Sequence, residues 1–142
     1  MLGGEYRHVV DSKNRLFIPA THRKELGENI AIVRNTHGKY LSVYSEADWE
    51  AYCAKIKEKL PTEEKEIVLR YYNRNAVFTQ PDSQGRVVLP SALLDHIGIT
   101  KDGRDAVIVG CGDYAEIWAA TVYDKDTEDE ESINAILKAY GL

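Results

Sequence analysis

The segment Asp11-Ser12-Lys13-Asn14-Arg15-Leu16-Phe17-Ile18-Pro19 returns as Asp82-Ser83-Gln84-Gly85-Arg86-Val87-Val88-Leu89-Pro90, at an offset of 71 residues. The offset persists to Gly27 and Gly98, and five of these 17 aligned positions are identical where chance gives about one. Farther along, at an offset of 74, Tyr40 meets Tyr114, Val43 meets Ile117 and Tyr44 meets Trp118, which places three extra residues near Lys101-Asp102-Gly103. A duplication of this kind restricts the chain to two copies of one small unit sharing a core within 142 residues.

Each copy carries the same punctuation. A strand (His8-Val9-Val10; Val77-Phe78-Thr79) runs into a tight polar turn, in which Asn14 and Gly85 hold the position that favours positive φ. A short apolar strand follows, Leu16 to Ile18 and Val87 to Leu89. Pro19 and Pro90 then suit the first turn of a helix, and Gly27 and Gly98 stop that helix after about two turns. A β-hairpin closes each unit: Ile30 to Val33 with Tyr40 to Tyr44, and Ala106 to Val109 with Tyr114 to Trp118.

Between the copies the pattern turns helical. Ser45-Glu46-Ala47-Asp48 resembles a capping box, and Trp49, Cys53, Ile56 and Leu60 recur at helical spacing. Pro61-Thr62 breaks that helix and recaps a second one, whose first turn holds Glu63 and Glu64. After the second copy comes a charged stretch, Asp124 to Glu131, and then an amphipathic helix from Ser132 to Tyr140. Ile133, Ile136, Leu137 and Tyr140 share one face of it. Core packing is the reading preferred for both apolar stripes. The fold class expected is α+β, with two interlocked β-rich halves.

The net charge of −5 disfavours nucleic acid only until its distribution is considered. Residues 124–142 carry −4, so residues 1–123 carry −1, whereas Arg7 to Lys24 carries +4. Local field, rather than the sum, decides where an anion lands. No apolar run at the N-terminus has the form of a signal peptide, and Ala106-Val107-Ile108-Val109 is strand-sized rather than membrane-spanning. Two cysteines in unrelated contexts do not make a disulfide framework. A cytoplasmic protein without membrane attachment is expected.

Several motifs imitate chemistry. Gly110-Cys111-Gly112-Asp113-Tyr114-Ala115 follows a strand as a dinucleotide fingerprint does, but a true fingerprint opens a helix, and Ala115 to Trp118 aligns with a strand of the first copy. Cys111 has no histidine near it in sequence and reads better as a small residue in a glycine-rich turn. His8, His22, His37 and His96 show no metal-type spacing, and no cofactor is called for. His8, alternating with Val9, reads as a half-buried strand residue. An enzyme is not expected.

The Asp-x-x-x-Arg turn differs because it occurs twice. Its structural reading has Asp capping the turn and Arg pairing back to it. That reading is preferred for Arg86, since residues 78–95 carry −1, although a DNA contact stays open there. In the first copy Lys13 accompanies Arg15, with Arg7, Arg23 and Lys24 close in sequence, and an anion-binding turn is preferred.

With both turns in place, the chain resembles the MraZ family of bacterial transcriptional regulators, related to the AbrB-type DNA-binding fold. The likeness lies in Gly4-Glu5-Tyr6 with His8, the turn Asp11 to Arg15, and Ile18-Pro19-Ala20. In the second half it lies in the turn Asp82 to Arg86, Leu89-Pro90 and Glu116-Ile117-Trp118, and it extends to about Tyr123. The resemblance implies two swapped-hairpin halves forming one β-barrel, assembly into a homo-oligomeric ring, and binding of direct repeats in double-stranded promoter DNA. The implied role is repression of a cell-division and cell-wall gene cluster, in the cytoplasm at the nucleoid. Carried over by position, Lys13 and Arg15 contact DNA and Asp11 orients the turn, with Arg7 and Arg86 as further candidates. Asn14 departs from the glycine typical there. The expected division is 4–52 for the first AbrB-like repeat, 53–73 for the helical connection, 74–123 for the second repeat and 124–142 for the acidic stretch and last helix. The alternative is an antitoxin-like or scaffold protein whose main partner is another protein.

Overall fold

The computed structural model describes residues 1–126 and 128–142. In the first copy, β1 (Glu5–Val9) and β2 (Arg15–Phe17) precede α1 (Ala20–Leu26) and the hairpin β3 (Ile30–Arg34) and β4 (Tyr40–Ser45). The helical connection is α2 (Glu46–Lys59) and α3 (Thr62–Arg74). The second copy repeats the order as β5 (Ala76–Thr79), β6 (Arg86–Val88), α4 (Ser91–Ile97), β7 (Asp105–Gly110) and β8 (Ala115–Ala119). Helices α5 (Ala120–Asp126) and α6 (Glu130–Ala139) follow. The short helices begin after Pro19 and Pro90 and end at Gly27 and Gly98, both at positive φ. Ser45 caps α2 by accepting a hydrogen bond from the Asp48 amide at 3.1 Å.

The halves exchange strands. β1 pairs with β7 of the second copy, while β5 pairs with β3 of the first, giving the sheet order β1-β7-β8-β4-β3-β5. β2 and β6 form a separate two-stranded ribbon. The expected closed barrel is therefore not formed: β1 and β5 remain the edges of an open six-stranded sheet. The three-residue strands β2 and β6 leave their predecessors through tight turns and spend their ladder hydrogen bonds on each other.

A pseudo-dyad organises these pairings. Leu16 pairs with Val87, its own repeat equivalent, and the flanking pairs are Arg15 with Val88 and Phe17 with Arg86. The ladder continues symmetrically beyond the strands, with Ile18 N–H donating to Gly85 C=O at 2.9 Å and Leu89 N–H to Asn14 C=O at 2.8 Å. The same axis passes between β4 and β8, where Ser42 pairs with Glu116. On either side of it Tyr40 stacks on Trp118 at 4.6 Å between ring centroids, and Tyr44 on Tyr114 at 5.7 Å. The registers also refine the alignment. Ile32 faces Val43 as Ile108 faces Ile117, so the longer second copy gains residues before β7 and gives some back in the β7–β8 turn.

One core fills the space between sheet and ribbon, built from Leu16, Ile18, Ile32, Leu41, Leu89, Ile97, Ile108 and Ile117, each at most 1% exposed. A smaller cluster under α2 and α3 joins Ala31, Val33 and Trp49, with Tyr44 and Tyr72 against it. Trp49 and Ile56 of the α2 stripe are buried as expected. The stripe of α6 is not: Ile133, Ile136, Leu137 and Tyr140 are 43%, 54%, 40% and 80% exposed, which corrects the core-packing expectation. An amphipathic pattern specifies that a face will be covered without specifying by which surface. Within the charged stretch 124–131, Asp124 and Asp126 lie in α5, which directly continues β8; residue 127 lies outside the described residues. Among the described residues, no helix is long and apolar enough to cross a membrane.

Because Leu16 is fully buried on the axis, Leu16→Ala is expected to cost about 2–5 kcal/mol. Urea unfolding followed by circular dichroism checks this, with a lowered midpoint and an unchanged slope as the expected outcome.

Candidate nucleic-acid interface

Burial of Leu16 and Val87 decides which way the ribbon faces. Side chains alternate along a strand, so Arg15, Phe17, Arg86 and Val88 share its outer surface. Arg15, Phe17 and Arg86 are half-buried there and Val88 is exposed. The two Asp-x-x-x-Arg turns lie at opposite ends of this short ribbon.

The turns are built alike. Asp11 Oδ1 accepts hydrogen bonds from the amides of Lys13 (3.0 Å) and Arg15 (2.8 Å), and its Oδ2 accepts from Arg15 Nε at 2.7 Å. Asp82 does the same with the amides of Gln84 and Arg86, both 2.9 Å, and with Arg86 Nε at 3.0 Å. Asn14 and Gly85 adopt φ of 61° and 79°, the conformation that closes each turn. Through the Arg15 amide first, and then the Arg15 side chain and Lys13 amide, Asp11 is held below the usual carboxylate range. Asp82 is lowered likewise, chiefly by the Arg86 amide. Each carboxylate thus fixes its arginine through Nε, and the terminal Nη groups remain the donors that an external acceptor can engage.

Each turn is also braced by an arginine from the other half. Arg104, just before β7, donates to Val10 C=O and Asp11 C=O, each at 2.9 Å, and to Asn14 Oδ1 at 2.7 Å. Arg23 of α1 donates to Ile18 C=O at 3.0 Å and lies 5.3 Å above the Phe17 ring. Its guanidinium rests against Gly85, where a Cβ would come within 2.7 Å of Arg23 Cζ. Glycine at position 85 therefore has two causes, positive φ and the approach of Arg23. At position 14 the side chain is needed instead, because Asn14 Oδ1 anchors Arg104. The departure from glycine there has a structural partner.

The basic cluster read from the sequence is divided by the fold. Lys13 and Arg15 stay at the first turn, Arg23 keeps its hydrogen bond in the first copy but rests its guanidinium on Gly85 of the second turn, and Lys24 is exposed on α1. Arg7 is carried away to α5, where its terminal nitrogens meet both Asp124 oxygens at 2.6 and 3.1 Å. Arg86, by contrast, joins the face that holds Arg15. Counting Lys13, Arg15, Arg23, Arg86 and Arg104 against Asp11 and Asp82, the ribbon and its turns carry an excess of three positive charges. Arg104 and the placement of Arg23 had no sequence signal, since both depend on contacts between halves.

The motifs that imitated chemistry have structural explanations. Gly110 and Gly112 flank the β7–β8 turn, and a Cβ at Gly110 would run into the backbone of Gly3. That N-terminal segment bridges to the turn through Leu2 and Gly112, whose amides donate to each other's carbonyls at 2.8 Å. Partial burial of the sulfur, and then Glu116, push the Cys111 thiol up to about 11, a value at which it is a protonated, poor nucleophile at neutral pH.

Fold and turns together define an internally duplicated α+β protein whose halves exchange strands and present two arginine turns on one ribbon. A family model described as "MraZ protein, putative antitoxin-like" matches residues 1–71 and 73–139. A protein named "Transcriptional regulator MraZ" from Caldicellulosiruptor bescii is 37% identical over 132 residues, 92% of this chain and 89% of that one. One of the same name from Caldanaerobacter subterraneus subsp. tengcongensis is 36% identical over 127 residues, 88% and 85% of the two chains. One from Lachnoclostridium phytofermentans is 30% identical over 143 residues, 100% and 99%. The chain belongs to the MraZ family. The match runs past Tyr123 to residue 139, so the acidic stretch and all of α6 lie inside the family pattern, beyond the limit expected from sequence.

The lowered carboxylates give the turns a pH dependence of definite sign. A folded-state value below the unfolded one means that Asp11 and Asp82 stabilise the turns fully above the ordinary aspartate value, near pH 4. That contribution is lost as pH falls from there through the depressed values. Amide hydrogen exchange at Arg15 and Arg86 is expected to speed up below about pH 4 beyond its intrinsic trend, and Asp11→Asn should remove the pH step at Arg15 alone.

Proposed function

We propose that this protein is a sequence-specific DNA-binding transcription regulator, acting on double-stranded promoter repeats as a ring-shaped homo-oligomer and repressing a cell-division and cell-wall gene cluster. The observation that carries the reading is the duplicated turn: two arginines, each fixed at Nε by an aspartate, on the exposed face of one two-stranded ribbon. A ribbon of this width fits the major groove of B-DNA, and a guanidinium presented by its Nη groups suits the O6 and N7 acceptors of guanine. The name carried by the relatives, transcriptional regulator, supports the same reading.

In this proposal Arg15 reads bases, Lys13 contacts phosphate and Asp11 orients the turn. Arg7, committed to Asp124, is outside the contact. Arg86 lies where it can serve as a second reading arginine as well as a structural pair to Asp82. A single bidentate contact supplies only about 1–3 kcal/mol of discrimination, whereas nanomolar binding needs about 12 kcal/mol. Several protomers on correctly spaced repeats gain through effective concentration, which is what a ring provides. No catalytic step or cofactor enters this function, and its place is the cytoplasm, at the nucleoid.

Fluorescence anisotropy with the protein's own upstream DNA and a scrambled duplex, titrated with salt, tests the reading. Arg15→Ala is expected to lose roughly tenfold or more of the preference for upstream DNA with an unchanged melt. Wild-type preference in that variant would remove the first turn as the reading head. For Arg86→Ala, a lowered melt with preference kept assigns structure, and lost preference at an unchanged melt assigns a second reading head.

A further inference from the structure

The pseudo-dyad makes two grooves equivalent by position and unlike in chemistry. At one end of the sheet, α5 is tied to β1 by Arg7 and Asp124. The repeat equivalents of those residues are Phe78 and Glu50, which cannot form an ion pair. There α2 stands off from β5, leaving a groove of about 910 Å³ lined by Ile30, Trp49, Cys53, Ala54, Lys57 and Phe78. Phe78 is 59% exposed beside it. The chain also carries an apolar surface of complementary form, the α6 stripe, and no residue of α6 is buried. α5, which precedes α6 in the chain, packs on β7 and β8, whereas the groove borders β5 at the far edge of the sheet.

We propose that the α6 helix of one copy occupies the α2–β5 groove of a second copy, with α6 antiparallel to α2. Length fits: from Glu46 to Lys57 the groove face of α2 runs about 16 Å, and the α6 segment from Glu130 to Tyr140 runs about 15 Å. Charge sets the direction. The first turn of α6 holds Glu130 and Glu131 behind its cap Asp129, and the last turn of α2 holds Lys57 and Lys59. Antiparallel placement brings these ends together and opposes the helix dipoles, whereas parallel placement would set Glu130 against Glu46 and Glu50. In this register Ile133 faces Cys53, Ile136 and Leu137 fill the middle beside Trp49, and Tyr140 reaches toward the start of α2. Helix and groove are different surfaces, so the contact can repeat head-to-tail from copy to copy, and a ring is the closed form of such a series.

The inference rests on the assembly reading above, and the experiment separates their failures. In a Cys111→Ser background, Cys53 is the remaining native cysteine, and Ile133→Cys is added on the α6 stripe. Mild copper–phenanthroline oxidation followed by non-reducing electrophoresis should give a ladder of covalent multimers. Lys138→Cys, on the opposite face of α6, should stay monomeric on the gel. Light scattering of the wild type and of Ile136→Glu runs alongside, the variant being expected to fall to monomer size. A multimeric wild type with no ladder, or with a cross-link inside single chains, overturns the docking and leaves the assembly. A monomeric wild type overturns both.

Discussion

The pairing of β2 with β6 through Leu16 and Val87 is the contact on which the rest of the structure depends. It sets a residue against its own repeat equivalent and so places the pseudo-dyad. Burial of that pair turns Arg15 and Arg86 outward, and the ladder bonds to Gly85 and Asn14 tie each turn to the opposite strand. Strand exchange at β1–β7 and β5–β3 then follows, because each copy's first strand is carried across the axis. Neither half has a complete core of its own: Ile32 and Leu41 of one bury against Leu89, Ile108 and Ile117 of the other.

Electrostatics follows the same plan. The fold redistributes the bases so that both turns have a guanidinium from the other half against them: Arg104 at the first and Arg23 at the second. The aspartates neutralise part of that charge and in return fix the guanidinium planes, which favours oriented contact over diffuse attraction. An acidic protein thereby keeps a locally positive ribbon, since its excess of carboxylates lies mainly beyond residue 123.

Equal copies have diverged away from the ribbon. Asn14 and Gly85 solve one backbone problem in two ways, each matched to the arginine that leans on it. Arg7 with Asp124 narrows the groove at one end of the sheet to about 360 Å³, while Phe78 and Glu50 leave the one at the other end at about 910 Å³. A duplicated chain can thus hold a symmetric centre, where the two halves must match, and unlike ends, where they need not.

The sequence by itself determined the duplication, the positive-φ positions at Asn14 and Gly85, the helix boundaries at Pro19, Gly27, Pro90 and Gly98, and the order of elements as far as β8, but not α5. All are local, set by backbone sterics or by periodicity within a few residues. The Asp-to-Arg pairings were legible for the same reason, since four residues separate the partners. Only the tertiary structure decided that Arg7 belongs to Asp124 and Arg104 to Asn14, that the sheet stays open, and that the α6 stripe is left uncovered. Those outcomes hang on contacts about a hundred residues apart, and composition or spacing along one strand carries no record of which distant group will fill a given side chain's hydrogen bonds.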